Sequence, residues 1–254
     1  MKILVVTSEV TFVPNNYNHF LREILQGTSD DPDIKIEIAI LKNNSFTLIF
    51  RGLALCFMGA RSIGYHLVKN SIKARFQDRL KMSREFNVNL QYFDNPNTPD
   101  FHEFVKNKHT DLLINARTRY IYKNKILKIP TIASLNIHHG LLPDYRGTMC
   151  DLWALGDERP TGFSIHVMDK KIDNGAIIRR ITTSKAGDSL RKNFSQLIME
   201  SSKIEGQEMA KIIKLINKDR VLPIEMDNIT TKPVYTKNPD FFAIRKLLQK
   251  GIKL

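Results

Sequence analysis

Asn136 and His138 stand two residues apart behind the apolar lead-in Ile132 to Leu135. In an extended chain, positions i and i+2 project from the same face. An amide that can donate a hydrogen bond and an imidazole that can donate or relay a proton therefore point into one site. Leu141-Leu142-Pro143 ends the strand, because Pro143 has no N–H for a ladder, and Gly147 permits a tight turn with positive φ. A polar pair at a strand end, beside a sharp loop, is where the catalytic groups of an open α/β sheet sit. Taken alone, Asn-x-His is more often structural than catalytic. His139 is expected on the opposite face as packing or solvent-facing, His166 in supporting or surface roles, and Trp153 in the core beneath the pair. Arg146 reads as a donor bracing the loop. Cys150 has no base at known distance and is not read as a nucleophile.

The surrounding elements have to place that pair. Lys2 to Thr7 is a short apolar run of the buried parallel-strand type. Ser8 to Asn18 is a polar loop without glycine between residues 8 and 16, which excludes a dinucleotide fingerprint. His19 to Leu25 reads as a helix and Ile34 to Leu41 as a second strand. Ile63, Leu67, Ile72, Phe76 and Leu80 recur four or five apart, predicting a helix over 47–82 packed on the sheet by its apolar stripe. Val88 to Phe93, Thr110 to Asn115, Thr161 to Met168 and Gly175 to Thr182 read as strands, Phe101 to Lys106 as a short helix, and Leu190 to Leu215 as a long one. Strands alternating with helices give an α/β fold, an open, mostly parallel, Rossmann-like sheet with flanking helices. Residues 1–215 form one domain in this reading, and 216–254 a short C-terminal extension closing in a basic helix.

A chain of 254 residues, 42% apolar and 26% charged, suffices for one substantial core. Two distant cysteines, Cys56 and Cys150, match no metal spacing and suit a reducing compartment. With no leader pattern at the start, a cytoplasmic location is expected. The longest uncharged apolar stretch near residue 50, Gly52 to Ala60, is too short to span a bilayer. The net charge is +13, and residues 47–84 contribute +7 of it: Arg51, Arg61, Lys69, Lys73, Arg75, Arg79, Lys81 and Arg84 against Asp78. Such a segment favours phosphates of nucleic acid, lipid or a nucleotide-linked substrate, or is simply a solvated basic face. Peripheral contact with an anionic membrane is one sharper reading.

The stretch Asn136, His138, Leu141, Leu142, Pro143, Tyr145, Arg146, Gly147 resembles the signature of the folate-dependent N-formyltransferases. A second family motif, Met-Asp-x-x-x-Asp-x-Gly, stands downstream as Met168 to Gly175. Gly140 departs from the serine usual in the family, and the interval from His138 to Asp173 is one residue shorter than in most members. The missing residue is expected in the turn Ala154 to Pro160, leaving the geometry intact. The resemblance implies 10-formyltetrahydrofolate as formyl donor, with Asn136, His138 and Asp173 as catalytic residues. Formyl transfer to an amine requires a donor for the oxyanion, a proton path from the amine and a proton for the leaving nitrogen. Asn136 would serve the first and His138 the others, while Asp173 orients the imidazole and raises its pKa. The resemblance also places Arg119, Tyr120, Ile121 and Tyr122, with Met168, Asp169 and Ile172, around the pterin, recognised through main-chain groups. Arg119 and Tyr120 stand where the family has small apolar residues. No metal is implied.

Within the family, an amine on a nucleotide-linked amino sugar is the acceptor this outline suggests. Methionyl-tRNA is the alternative that the basic segment would serve. Glycinamide ribonucleotide is a third, disfavoured by the glycine-free loop after the first strand. A non-catalytic basic adaptor at a membrane or nucleic acid would have no need of all three catalytic-type residues.

Overall fold

The computed structural model of the chain describes residues 1–74, 78–185, 193–230 and 232–254. The first half runs β1 (Lys2–Ser8), a 3-10 turn (Pro14–Tyr17), α1 (Asn18–Thr28), β2 (Lys35–Leu41), α2 (Ser45–Met58), α3 (Arg61–Ala74), α4 (Asp78–Glu85), β3 (Leu90–Phe93), α5 (Pro99–Asn107) and β4 (Leu112–Ala116). It continues with α6 (Asn124–Leu127), β5 (Ala133–His138), β6 (Tyr145–Gly147), α7 (Cys150–Gly156), β7 (Thr161–Val167), β8 (Ile177–Ser184), α8 (Phe194–Asp219), β9 (Val234–Thr236) and α9 (Phe241–Gln249). Among the described residues, seven strands form one sheet in the order β3-β2-β1-β4-β5-β7-β8. Pairing is parallel from β3 to β5 and antiparallel for β5–β7 and β7–β8. The order reverses between β1 and β4, so a crevice opens beyond the carboxyl ends of the central strands.

The continuous apolar runs of β1, β2 and β4 fit a sheet covered on both faces. Ile3 and Val5 point to one side, into a cluster with Phe20, Leu21 and Ile24 of α1 and Ile212, Ile213 and Ile216 of α8. Leu4 and Val6 point to the other, against Phe101 and Val105 of α5, Tyr122 of the loop after β4 and Ile126 of α6. Helix α8 starts at the side-chain cap Asn193, which accepts from the Gln196 N–H. The beginning of the long helix expected from Leu190 lies outside the described residues.

The single helix expected over 47–82 is instead three. Gly59, at φ 100°, caps α2 in the left-handed region, and the chain turns back into α3. The two helices pack mainly on each other rather than flat on the sheet. A Cβ on Gly64 would lie 2.4 Å from the Gly52 carbonyl oxygen, so only glycine permits this approach. Leu48 and Leu67 close a small cluster over Val10, while Ile72 is half exposed. Phe76 and Arg75 lie outside the described residues. Arg79, read from sequence as a surface charge, is buried. Its guanidinium donates to the carbonyls of Ser8 and Asn16 and to Asn18 Oδ1, bracing the loop after β1. A rigid planar fork with several donors suits that role.

Beyond α8 the chain returns to the main body. Met226 pairs with Ile177, β9 pairs with β6, and the carbonyls of Lys253 and Leu254 accept from Phe194 and Ser62. The stretch set apart from residue 216 therefore begins with the last turn of α8 and is stitched onto the catalytic-type loops.

Candidate active site

Strand β5 presents Asn136 and His138 on one face, at the carboxyl end of the sheet. Its register sets Asn136 beside Asn115 of β4 and His166 of β7, so three polar side chains form a row across three strands. Their hydrogen bonds define one direction throughout. The Thr118 N–H and hydroxyl both donate to Asn115 Oδ1, at 3.3 and 2.7 Å. Asn115 Nδ2 then donates to Asn136 Oδ1 at 2.8 Å, and Asn136 Nδ2 faces His166 Nε2 at 3.0 Å. His166 Nδ1 lies 2.8 Å from the Val167 carbonyl, which can only accept, so Nε2 carries the lone pair that Asn136 meets. This fixes the amide with Nδ2 toward the site. One of its two protons goes to His166; the other faces Asp173 Oδ1 only at 3.5 Å, too long to be a strong bond.

His138 is almost fully buried, with Nδ1 3.4 Å from Asp173 Oδ2 and Nε2 2.9 Å from the Tyr145 carbonyl. Both ring nitrogens thus face acceptors. Burial pulls the imidazole below its usual range; Asp173 and the Tyr145 carbonyl push upward without overcoming it. The expected upward shift is therefore reversed by desolvation, and the resting ring is neutral. Because an acceptor waits at each nitrogen, it can take up a proton without reorganisation. Burial also works against the Asp173 carboxylate. His138 and the Gly147 N–H, which donates to Oδ2 at 2.9 Å, nevertheless hold it down to about 2.

The loop carrying Asp173 is fastened from behind. Arg146 donates to Asn174 Oδ1 at 2.9 Å and to the carbonyl and side-chain oxygens of Asn228, each at 3.1 Å. Asn228 Nδ2 in turn donates to the carbonyls of Asp173 and Gly175, both at 3.0 Å. Gly147 has φ 100°, and a Cβ there would meet the Thr236 carbonyl at 2.3 Å, so β9 can lie against β6 only because this residue is glycine. The Gly140 departure also has a local cause. A Cβ at 140 would sit 2.6 Å from Cys150 Cβ and 2.9 Å from His138 Nε2, leaving no room for serine in this arrangement. Burial pushes the Cys150 thiol up to about 12, so it stays protonated beside Thr236. Trp153 is only half-buried and donates to the Lys237 carbonyl, pinning the C-terminal segment rather than filling the core.

His139 turns to the other side. Its Nδ1 lies 3.2 Å from Glu205 Oε1, and Glu205 also accepts from the Tyr17 and Ser201 hydroxyls. The Arg117 guanidinium lies over the rings of Phe12 and Tyr17. This second set of polar groups is buried within the main core, away from Asn136.

The residues expected around the pterin divide in two. Tyr120, Tyr122 and Met168 pack into the same apolar cluster beneath the carboxyl ends of β1 and β4. The side chains of Arg119, Ile121, Asp169 and Ile172 are exposed. Asp169 accepts from the Lys171 N–H and from Asn174, shaping its own loop. Among the described residues, the backbone N–H groups of Arg119, Tyr120, Ile121 and Tyr122 have no hydrogen-bond partner. Unused main-chain donors, rather than side chains, are what this loop offers to a heterocycle. Asn115 and Asn228 escaped the sequence reading as site residues, and His166 entered it only in a supporting or surface role. Asn115 and His166 become visible only through strand register, and Asn228 carries no sequence signal at all.

Residues 81–196 match the formyl transferase family. The chain is 40% identical over 83 residues to a GDP-perosamine N-formyltransferase of Brucella melitensis, covering 32% of each protein. It is 27% identical over 191 residues to a methionyl-tRNA formyltransferase of Mycoplasmopsis pulmonis, covering 74% of this chain and 62% of that one. The matched part spans 32% and 62% of these two curated relatives' own length. Among solved structures, a glycinamide ribonucleotide transformylase of Symbiobacterium toebii superposes with a TM-score of 0.59 at 18% identity, covering 91% of this chain and 94% of that one. WlaRD, a sugar 3N-formyltransferase solved with dTDP and 5-N-formyl-THF, gives 0.57 at 16% identity, covering 94% and 70%. At these identities the structural likeness speaks for the fold. Together with the two motifs gathered at the end of β5, the match over residues 81–196 likens this part of the chain to the formyl transferase family.

Proposed function

We propose that this chain transfers a formyl group from 10-formyltetrahydrofolate to a primary amine on a small, nucleotide-linked amino sugar. The observation that carries the reading is the convergence of Asn136, His138 and Asp173 at the carboxyl end of β5, with the unused main-chain donors of residues 119–122 nearby. Bound there, the folate supplies the formyl carbon that the amine attacks and the nitrogen that departs from it. Asn136 Nδ2, oriented by Asn115 and His166, offers its second proton to the oxygen that becomes negative. His138, neutral at rest, accepts a proton and holds it between Asp173 and the Tyr145 carbonyl until the leaving nitrogen needs it. Asp173, ionised and fixed by the Gly147 N–H, stabilises the imidazolium in that interval.

For the acceptor, the higher identity to a GDP-perosamine N-formyltransferase supports a sugar nucleotide. The tRNA reading leaned on the basic segment, and Arg79 within it is spent on internal carbonyls. The free thiols Cys56 and Cys150 suit the cytoplasm, where both substrates of this reaction would meet. The test is a screen of purified protein with 10-formyltetrahydrofolate and nucleotide-linked aminodeoxysugars, glycinamide ribonucleotide or methionyl-tRNA, following tetrahydrofolate release. Release is expected with a sugar nucleotide. Release with methionyl-tRNA alone would overturn the acceptor assignment, and no release with any amine would overturn the activity.

A further inference from the structure

The α2–α3 hairpin contributes no residue to the Asn136–His138–Asp173 group, yet it carries a large exposed apolar surface. Phe50, Leu53 and Phe57 are 71%, 53% and 94% exposed. Their spacing places them in one stripe along α2. The stripe is not spare core, because the inner side of the same helix already buries Leu48 and Gly52. Nor is it a loose loop, since the Gly52–Gly64 approach locks the helix against its partner. On α3, Tyr65 and Ile72 are about half exposed, with the Lys69 ammonium 5.3 Å from the Tyr65 ring centre. Monomeric proteins rarely leave such a contiguous apolar surface without use.

Charge selects what covers it. Between Ser45 and Ala74 the chain has four bases, Arg51, Arg61, Lys69 and Lys73, and no acid. Arg51, Arg61, Lys69 and Lys73 are all exposed. A second copy would bring the same positive rim against itself on a chain already at +13. A nucleic acid would match the bases but leave Phe50, Leu53 and Phe57 against phosphates. An anionic bilayer matches both features: headgroups for the rim, and the acyl boundary for the stripe. No helix among the described residues is long and apolar enough to cross a membrane, so the contact is peripheral. We infer that the outer face of α2–α3 docks on an anionic lipid surface, with Phe50, Leu53 and Phe57 entering the headgroup boundary and Arg51, Arg61 and Lys69 meeting the lipid charge. This would hold the enzyme at the surface while its active site, on separate loops, stays open to water-soluble substrates.

The experiment is co-sedimentation of the full chain with vesicles of equal parts phosphatidylcholine and phosphatidylglycerol, and with vesicles of phosphatidylcholine alone. Binding is expected to the anionic vesicles only, and to weaken as salt is raised. The double variant Phe50→Ser/Phe57→Ser should lose at least ~10-fold in partitioning, since each exposed ring gives up its burial in lipid. Arg61→Gln/Lys69→Gln should weaken binding less, and mainly at low salt. Thermal melting of each variant verifies folding, and both should keep wild-type turnover on whatever amine the enzyme accepts. The inference fails if the wild type ignores anionic vesicles at low salt, or if the double phenylalanine variant binds them as well as the wild type. It also fails if the stripe holds a dimer, seen as wild-type self-association in sedimentation velocity that the same variant abolishes.

Discussion

His138, buried, and His139, partly buried, are consecutive and each faces a carboxylate, yet they belong to different parts of the molecule. His138 meets Asp173, a residue at positive φ on a loop that also carries the expected folate contacts. His139 meets Glu205, on the long helix α8, with Tyr17 and Ser201 completing a closed set of donors. In the first pair the carboxylate is held by a backbone N–H, and the imidazole has an acceptor at each nitrogen. In the second, burial pulls the imidazole down to about 4 although Glu205 pushes it up. The same two chemical groups can thus form a proton-handling site or a buried brace. What separates them is which face of β5 they leave from and whether their partner rides on a loop or on a core helix.

The sharpest way to break this contrast is to remove each partner in turn. His138→Ala, Asn136→Ala and Asp173→Ala should each lower turnover by ~10²-fold or more, with the melting temperature little changed. His139→Ala should do the reverse, keeping turnover within a few-fold while costing about 1–3 kcal/mol in a urea titration, because the buried Glu205 loses one of its hydrogen-bond donors. Near-normal turnover in His138→Ala would sink the distinction.

A smaller effect probes how tightly the first pair is packed. Gly140→Ser restores the residue usual in the family but drives a Cβ toward His138 Nε2 and Cys150. We expect turnover to drop by ~10-fold, as a displaced catalytic group costs one to two orders of magnitude, with stability less affected. Cys150→Ala in the same background should recover part of the loss by making room. An unchanged rate in Gly140→Ser would show that the ring is free to move.

The smallest effect is in the acid limb of stability. His139 binds its proton at about 4 in the folded chain and near ~6.5 when unfolded. The unfolded state therefore takes up more protons in that window. The stability from keeping His139 neutral is complete above ~6.5 and is lost as the pH falls toward about 4. Asp173, held near 2 against an unfolded value of ~3.9, loses its contribution only below that window. Melting temperatures measured across this range should fall less steeply for His139→Asn than for the wild type. They should not become flat, because His138 is also lowered. Superimposable curves would mean that His139 is not the group being titrated.

Much of this arrangement was legible in the chain. The period-two placement of Asn136 and His138, with Pro143 and Gly147 behind them, announced a strand end and a turn. The apolar runs gave a mostly parallel sheet, and β1, β2 and β4 lie within a residue or two of their expected limits. The rest depended on relations no local pattern encodes. Helical periodicity over 47–82 was real, but Gly59 and the Gly52–Gly64 contact turned one helix into a hairpin. Arg79 looked like surface charge because its acceptors, the carbonyls of Ser8 and Asn16, lie more than sixty positions earlier. His166 joined the site through its register with Asn136 across an antiparallel pair. Desolvation reversed the expected shift of His138, and burial is a property of the folded whole.

The tie between Arg146 and Asn228, and that between Gly147 and Thr236, bears on when the candidate site is assembled. These contacts bridge more than eighty positions of chain, against the seven separating His138 from Tyr145. Closing so long a loop is entropically slow relative to forming β5 or the helices around it. On a chain leaving the ribosome, Asn136 and His138 would be in place well before the Asp173 loop is fastened. The complete site would then be among the last features the folding molecule acquires, arriving only when the segment around 226–236 has come home.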